Sequence, residues 1–274
     1  MQASQQGTER RPVALISGGS SGIGLACAEI LVRRGYAVVV AARDPDRLAA
    51  AARLGAIEGA AVTTRRLDVT DAAACAETVA EVVASHGGLD WLLTSAGIVE
   101  PGMFLDGDPA GPRREMETNY FGTLNLVRPA AVAMAASGGG RITMIASAAA
   151  FIGILGYSGY GASKFAVRGL GECLRVELAP KGISVSVAFP PDTDTPQLAG
   201  EALTRPEATR LIAEGTGVWA AKTVAERLIA GAEAGRFMLV PSRQLALLGA
   251  LASLIAPGFR WHQGRIAAKF SARR

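Results

Sequence analysis

Short apolar runs alternate with longer amphipathic stretches through most of this chain, and that alternation limits its fold more than any other feature. Residues 13–17, 37–42, 62–68, 91–95, 141–147 and 183–189 read as strands, with 237–240 as a seventh. Between them, 22–35, 72–85, 108–136, 157–178 and 223–234 read as helices, and a further one opens at Pro45 with Asp44 as its N-cap. Strands alternating with helices of this length predict a doubly wound parallel α/β sheet with helices on both faces. Near-continuous apolar strands fit burial on both sides. Neither a repeat nor a linker interrupts the pattern, so residues 13–241 are expected to form a single domain. Residues 1–12 are read as a disordered N-terminal tail and 242–274 as an apolar and basic C-terminal tail.

Composition removes several alternatives. Three cysteines (Cys27, Cys75 and Cys173) without a C-x-x-C pair make neither a disulfide framework nor a zinc knuckle, and are expected to be buried thiols in a reducing, cytoplasmic setting. With His86 and His262 as the only histidines, no metal site and no Ser-His-Asp triad is expected. The polar N-terminus lacks the apolar segment of a secretory signal.

The turn after the first strand reads Gly18-Gly19-Ser20-Ser21-Gly22-Ile23-Gly24. Glycines there let the backbone approach a ligand, and the helix behind offers unpaired N–H groups to a pyrophosphate. On the first strand–helix turn of this fold class, such a run predicts dinucleotide binding. At the end of the second strand, Val40-Ala41-Ala42-Arg43 places alanine where an NAD site usually carries a carboxylate. The Arg43 guanidinium, with Arg47 one helical turn on, suits the 2′-phosphate of NADP. NADPH/NADP is therefore the expected cofactor.

Tyr160 and Lys164 stand four apart, on one helix face, and Ser147 closes the fifth strand at the ligand-binding edge. A tyrosine is a poor acid or base near neutral pH unless a cation stabilises its phenolate, which Lys164 is placed to do. Ser147 is placed to hold a substrate carbonyl.

These motifs, with Asp68-Val69, Ser95-Ala96-Gly97, Asn119, Tyr160-Gly161-Ala162-Ser163-Lys164 and Pro190-Pro191 in order, resemble the short-chain dehydrogenase/reductase family over about residues 13–240. The resemblance implies a Rossmann-type fold, with Tyr160 as acid/base, Lys164 lowering its pKa and binding the nicotinamide ribose, Ser147 orienting the carbonyl and Asn119 holding a relay water. It places Asp68 against the adenine. The implied cofactor site comprises Gly18, Ser20, Ser21, Gly22, Ile23, Gly24, Arg43, Arg47, Asp68, Val69, Ala96, Gly97, Tyr160, Lys164, Pro190, Thr193 and Thr195. Two departures are visible: Thr94-Ser95 replaces the family's Asn-Asn, losing side-chain amide bonds, and Pro190-Pro191 replaces Pro-Gly.

Within the family, Pro190-Pro191-Asp192-Thr193-Asp194-Thr195-Pro196 is similar to the segment found in reductases of 3-ketodihydrosphingosine (3-dehydrosphinganine). That implies a lipid-like ketone as substrate and a place in sphingolipid synthesis. Asp192 and Asp194 then have two readings, attraction of a substrate ammonium or turn and capping chemistry. A reductase of a steroid, retinoid or acyl ketone, and a non-catalytic NADPH-sensing protein on a membrane, stand as alternatives.

No Asp or Glu follows Glu233, whereas seven Lys or Arg do, so the net charge of +4 belongs to the tail and the preceding chain is mildly acidic. A nucleic-acid partner is accordingly not expected. Residues 245–256 are apolar but too short to span a bilayer, and Pro257-Gly258 is expected to break them. Trp261 among basic residues fits peripheral contact with the cytoplasmic face of a membrane. Packing on the domain or on a second subunit is the other reading, and a homo-oligomer is expected.

Overall fold

The structure is a computed structural model that describes residues 10–58, 62–213 and 217–271; most of the expected N-terminal tail, with Arg273 and Arg274, lies outside them. Six strands follow in chain order: β1 Val13–Ser17, β2 Ala37–Ala42, β3 Val62–Arg66, β4 Trp91–Thr94, β5 Gly140–Ile145 and β6 Ile183–Ala188. Two-residue strands β7 (Thr193–Asp194), β8 (Trp219–Ala220) and β9 (Met238–Leu239) complete the set described. The main sheet is parallel throughout, in the order β3-β2-β1-β4-β5-β6-β9, and β7 pairs with β8 apart from it.

Side chains alternate between the two faces of each strand. Val13 and Leu15 enter a core shared with α3 (Ala72–His86), α5 (Gly122–Ala136) and α6 (Ser158–Leu178). Ala14 and Ile16 enter a second core with α1 (Gly22–Arg33), α2 (Pro45–Glu58) and α9 (Ala221–Glu233). Both faces are thus covered, which is why β1, β2 and β4 read as unbroken apolar runs. The sheet order reverses between β1 and β4, and their carboxyl ends open the crevice in which such folds bind ligands.

Several expectations are corrected. The long helix over 108–136 begins later, as α4 (Gly111–Met116), and carries a π-helical turn at Glu117–Phe121 before α5. Two helices not expected individually, α7 (Pro196–Thr204) and α8 (Glu207–Ala213), follow β7. Cys27 and Cys75 are buried, but Cys173 is exposed. Arg10 is anchored within the segment expected to be disordered, its Nη2 lying 2.8 Å from Asp90 Oδ1.

The largest correction concerns the tail. Pro257 does not end its helix: α10 spans Arg243–Ser271 as two helical segments that meet in a kink at Leu251 (φ −111°), and Pro257 lies within the second. A mid-helix proline forfeits one backbone hydrogen bond and crowds the preceding turn, but tertiary contacts hold α10 in place. Gln263 is buried, its Oε1 accepts from Leu155 N at 2.7 Å, and its Nε2 donates to Gly153 O at 2.9 Å. By length and composition the whole helix would suffice to cross a membrane, although the apolar segment seen in sequence would not.

Candidate active site

One cavity of about 640 Å³ runs along the carboxyl edge of the sheet. At its nucleotide end lie Gly18, Ser20, Ser21, Gly22 and Ile23. Gly18 and Gly22 have φ of +66° and +53°, and a Cβ on Gly18 would stand 2.6 Å from Ala96 N. Gly24 does not line the cavity; a Cβ there would stand 2.4 Å from Gly18 O, so it allows the helix to pack on the turn. Asp71 and Thr195 cap α3 and α7 with their side chains, whereas Ser21 makes no such bond at α1 and no acidic residue occupies its first turn. The N-terminus of α1 therefore keeps its amides for an anion.

Arg43 and Arg47 border the same end. Arg47 Nε pairs with Asp44 at 3.2 Å, whose Oδ1 also caps α2 by accepting from Asp46 N and Arg47 N. Arg43 has no ion pair among the described residues, and its charge contributes to holding the Asp68 carboxyl below the usual range. The main cause of that lowering is the Thr70 amide, which Asp68 Oδ1 accepts at 3.0 Å. Leu67 and Val69, not Asp68, form the cavity wall here. A glycine cradle, an uncapped helix and an unpaired guanidinium fit a phosphorylated dinucleotide.

Ala96, Gly97, Ser147, Tyr160, Lys164, Pro190, Thr193 and Thr195 also line the wall. Burial raises the pKa of the Tyr160 hydroxyl and the carboxylates of Glu201, Asp192 and Glu115 add to the rise, while the neighbouring Ser147 hydroxyl opposes it. Lys164 was expected to be the counterweight. Its buried Nζ donates to Ile145 O at 3.0 Å and lies 5.6 Å from the Tyr160 ring centroid. Burial brings the Lys164 ammonium down to about 8, opposed by the charge of Glu115.

Asn119 lies behind the cavity wall. Its Oδ1 accepts from Ile98 N at 2.8 Å, and its Nδ2 donates to Ile98 O and to Ser163 Oγ, each at 2.9 Å. Its main-chain oxygen in turn accepts from Thr123 Oγ1 at 2.8 Å. The altered Thr94 leaves a trace: its Oγ1 is buried and has no hydrogen-bond partner among the described residues.

Three contributions were missed in the sequence. Glu115, 2% exposed, accepts from Glu100 N through Oε1 at 2.8 Å, and burial pushes its carboxyl up to about 7. Glu201 and Tyr157 join the wall beside Tyr160. Leu245, Leu248 and Phe259 bring α10 into the same cavity, where they and Leu198 of α7 and Ile212 of α8 add apolar lining. A helical period identifies apolar positions on α10, but nothing local reveals which partner they face.

This sheet order, with a serine, tyrosine and lysine beside a dinucleotide cradle, defines a nicotinamide-dependent oxidoreductase. The family model for short chain dehydrogenases matches residues 12–206, and the chain belongs to that family. It is 34% identical over 240 residues to the 3-ketodihydrosphingosine reductase of Bos taurus, covering 83% of this chain and 72% of the relative. Identity to the 3-dehydrosphinganine reductase of Danio rerio is 35% over 230 residues, covering 81% and 69%. Among solved structures, a short-chain dehydrogenase from Sphingobium yanoikuyae in complex with NADPH matches with a TM-score of 0.76 at 31% identity, covering 89% of this chain and 95% of that one. A Burkholderia phymatum short-chain dehydrogenase/reductase in complex with NAD matches at 0.79 and 25% identity, covering 88% and 92%.

Proposed function

We propose that this protein is an NADPH-dependent reductase of long-chain ketones, with 3-ketodihydrosphingosine as substrate and dihydrosphingosine as product. The observation that carries this reading is one cavity lined together by the glycine turn and Arg43, by Ser147 and Tyr160, and by the apolar side chains of Leu198, Ile212, Leu245, Leu248 and Phe259. The similarity to vertebrate reductases of that name supports the substrate, and Ala42 followed by an unpaired Arg43 supports the phosphorylated cofactor.

Bound cofactor supplies the hydride. Ser147 holds the carbonyl oxygen, and the Tyr160 hydroxyl, placed beside it, gives that oxygen its proton. The Lys164 ammonium adds positive charge behind the phenol. Gly97 brings the backbone between the two supporting side chains, since a Cβ there would lie 3.0 Å from Asn119 Oδ1 and 3.5 Å from Lys164 Nζ.

The reading includes peripheral attachment to a membrane, on its cytoplasmic face. Leu247, before the kink at Leu251, and Leu254 and Trp261, seven residues apart after it, are exposed, whereas Leu245, Ala256 and Gln263 are buried. Arg265 lies over the Trp261 ring at 5.1 Å, and free thiols at Cys27, Cys75 and Cys173 suit a reducing compartment. It also includes a homo-oligomer. Exposed Phe121 and Val132 stand eleven residues apart along the π turn and α5, as exposed Phe165 and Val176 do on α6, a spacing of about three turns.

The decisive experiment follows NADPH and NADH oxidation with 3-ketodihydrosphingosine beside steroid and acyl ketones. The expected result is preferential turnover of the sphingoid ketone with NADPH. Preferential turnover of another ketone would reassign the substrate, and no turnover of any would reject the reductase.

A further inference from the structure

Beside Tyr160, α7 and the loop after β6 place two carboxylates against a single guanidinium. Arg205 Nη1 lies 3.0 Å from Asp192 Oδ2, and its Nε donates to Glu201 Oε1 at 2.8 Å. The Tyr157 hydroxyl and Arg205 Nη2 donate to that same Oε1. No hydrogen bond reaches Glu201 Oε2 among the described residues. Asp192, Glu201 and Tyr157 line the cavity, whereas Arg205 stands behind them and does not. The cluster therefore carries one surplus negative charge, and its anionic side is the side that faces the ligand. Asp194, the other expected anchor, is exposed and takes no part in the lining.

The location is specific to the reacting centre. The Tyr157 and Tyr160 rings lie 5.6 Å apart between centroids, and the charges of Glu201 and Asp192 are felt at the Tyr160 phenol. A carboxylate whose side chain is only 9% exposed is costly to leave under-paired. A cationic ligand group reaching Oε2 would complete it with a charge-assisted hydrogen bond.

We infer that Glu201, backed by Asp192, Arg205 and Tyr157, is a seat for a substrate ammonium adjacent to the carbonyl under reduction. This rests on the function proposed above and makes the enzyme selective for α-amino ketones over simple ketones of the same length. Arg205 acts as a positioning residue, holding Oε1 and leaving Oε2 without a protein donor among the described residues.

The test compares 3-ketodihydrosphingosine with its des-amino analogue in wild type, Glu201→Gln and Glu201→Asp, and measures octylammonium binding against 1-octanol by calorimetry. The seat requires the amino to des-amino ratio of kcat/KM to fall at least tenfold in Glu201→Gln, through KM, with substantial recovery in Glu201→Asp. It also requires octylammonium, but not octanol, to bind more weakly to Glu201→Gln. A merely structural contact would lower turnover of both ketones alike and leave the ratio and the amine preference unmoved, which overturns the inference. If wild type turns over neither ketone yet binds octylammonium through Glu201, the substrate reading fails and the cation seat stands.

Discussion

Glu115 and Asn119 lie one turn apart across the π-helical segment and grip alternate residues of one loop. Glu115 Oε1 takes the amide of Glu100, and Asn119 Oδ1 that of Ile98, each at 2.8 Å. The loop after β4, which includes cavity residues Gly97 and Ile98, is thereby fixed to the helix packed against Lys164's own helix. The buried carboxyl is the costlier of the two latches.

Glu115→Gln keeps an acceptor for the Glu100 amide and removes an ionisable group. The folded carboxyl holds its proton up to about 7, while the ordinary value is 4.5. As pH rises through that window, the unfolded state releases the proton first, so stability is lost, and the loss is constant above it. Glu115→Gln is therefore expected to raise stability at pH 8 by up to about 3 kcal/mol, with the gain vanishing near pH 4.5. Urea unfolding at the two pH values checks it; a pH-independent difference contradicts the assignment.

Tyr160→Phe is expected to lower kcat by about 10²–10⁴-fold, the usual contribution of a positioned proton donor, while cofactor binding is retained. Steady-state turnover with fluorescence titration of NADPH measures both. Near-normal turnover would remove Tyr160 from the chemistry.

Gly18→Ala forces a residue with a side chain to φ +66° and drives its Cβ toward Ala96 N. The backbone conformation alone costs about 1–2 kcal/mol, and the clash displaces the turn. A fall in Tm together with weakened cofactor binding is expected; unchanged NADPH affinity would show that the turn does not cradle the dinucleotide.

Arg43→Ala removes a guanidinium without an ion pair, whereas Arg47 already pairs with Asp44. A charge-assisted bond is worth about 1.5–3 kcal/mol. The NADPH over NADH preference is thus expected to fall roughly 10–100-fold in Arg43→Ala and less in Arg47→Ala. Equal effects would contradict this ordering.

Leu254→Asp with Trp261→Asp removes two exposed apolar side chains of α10, whose residues 254 and 261 are 78% and 65% exposed. Wild type is expected to float with liposomes containing phosphatidylserine and the double variant to remain below. Equal partitioning would reject membrane docking. Deleting residues 242–274 is the weaker experiment, because it also strips Leu245, Leu248 and Phe259 from the cavity.

Periodicity made the fold legible: β1 and β2 fall at the expected residues because strands buried on both faces are apolar without interruption. That Gly18, Gly22, Tyr160 and Lys164 share one cavity was legible because short, fixed spacings place them at the carboxyl edge of the sheet. The π turn was not, since it inserts a shift into a helix without changing residue type. Nor was Glu115, which reads as one more charge on an amphipathic helix until the loop that buries it is in place.

The amino-acid sequence alone determined the strand and helix pattern, the glycine turn and the tyrosine–lysine spacing, all of which are written in local periodicity and short, fixed spacing. Tertiary structure decided the rest. It set Arg205 between Asp192 and Glu201, turned Asp194 outward, and carried α10 through Pro257 to add apolar lining to the cavity. Those outcomes depend on which distant surfaces meet, because burial and pairing give a side chain its charge environment and its partner.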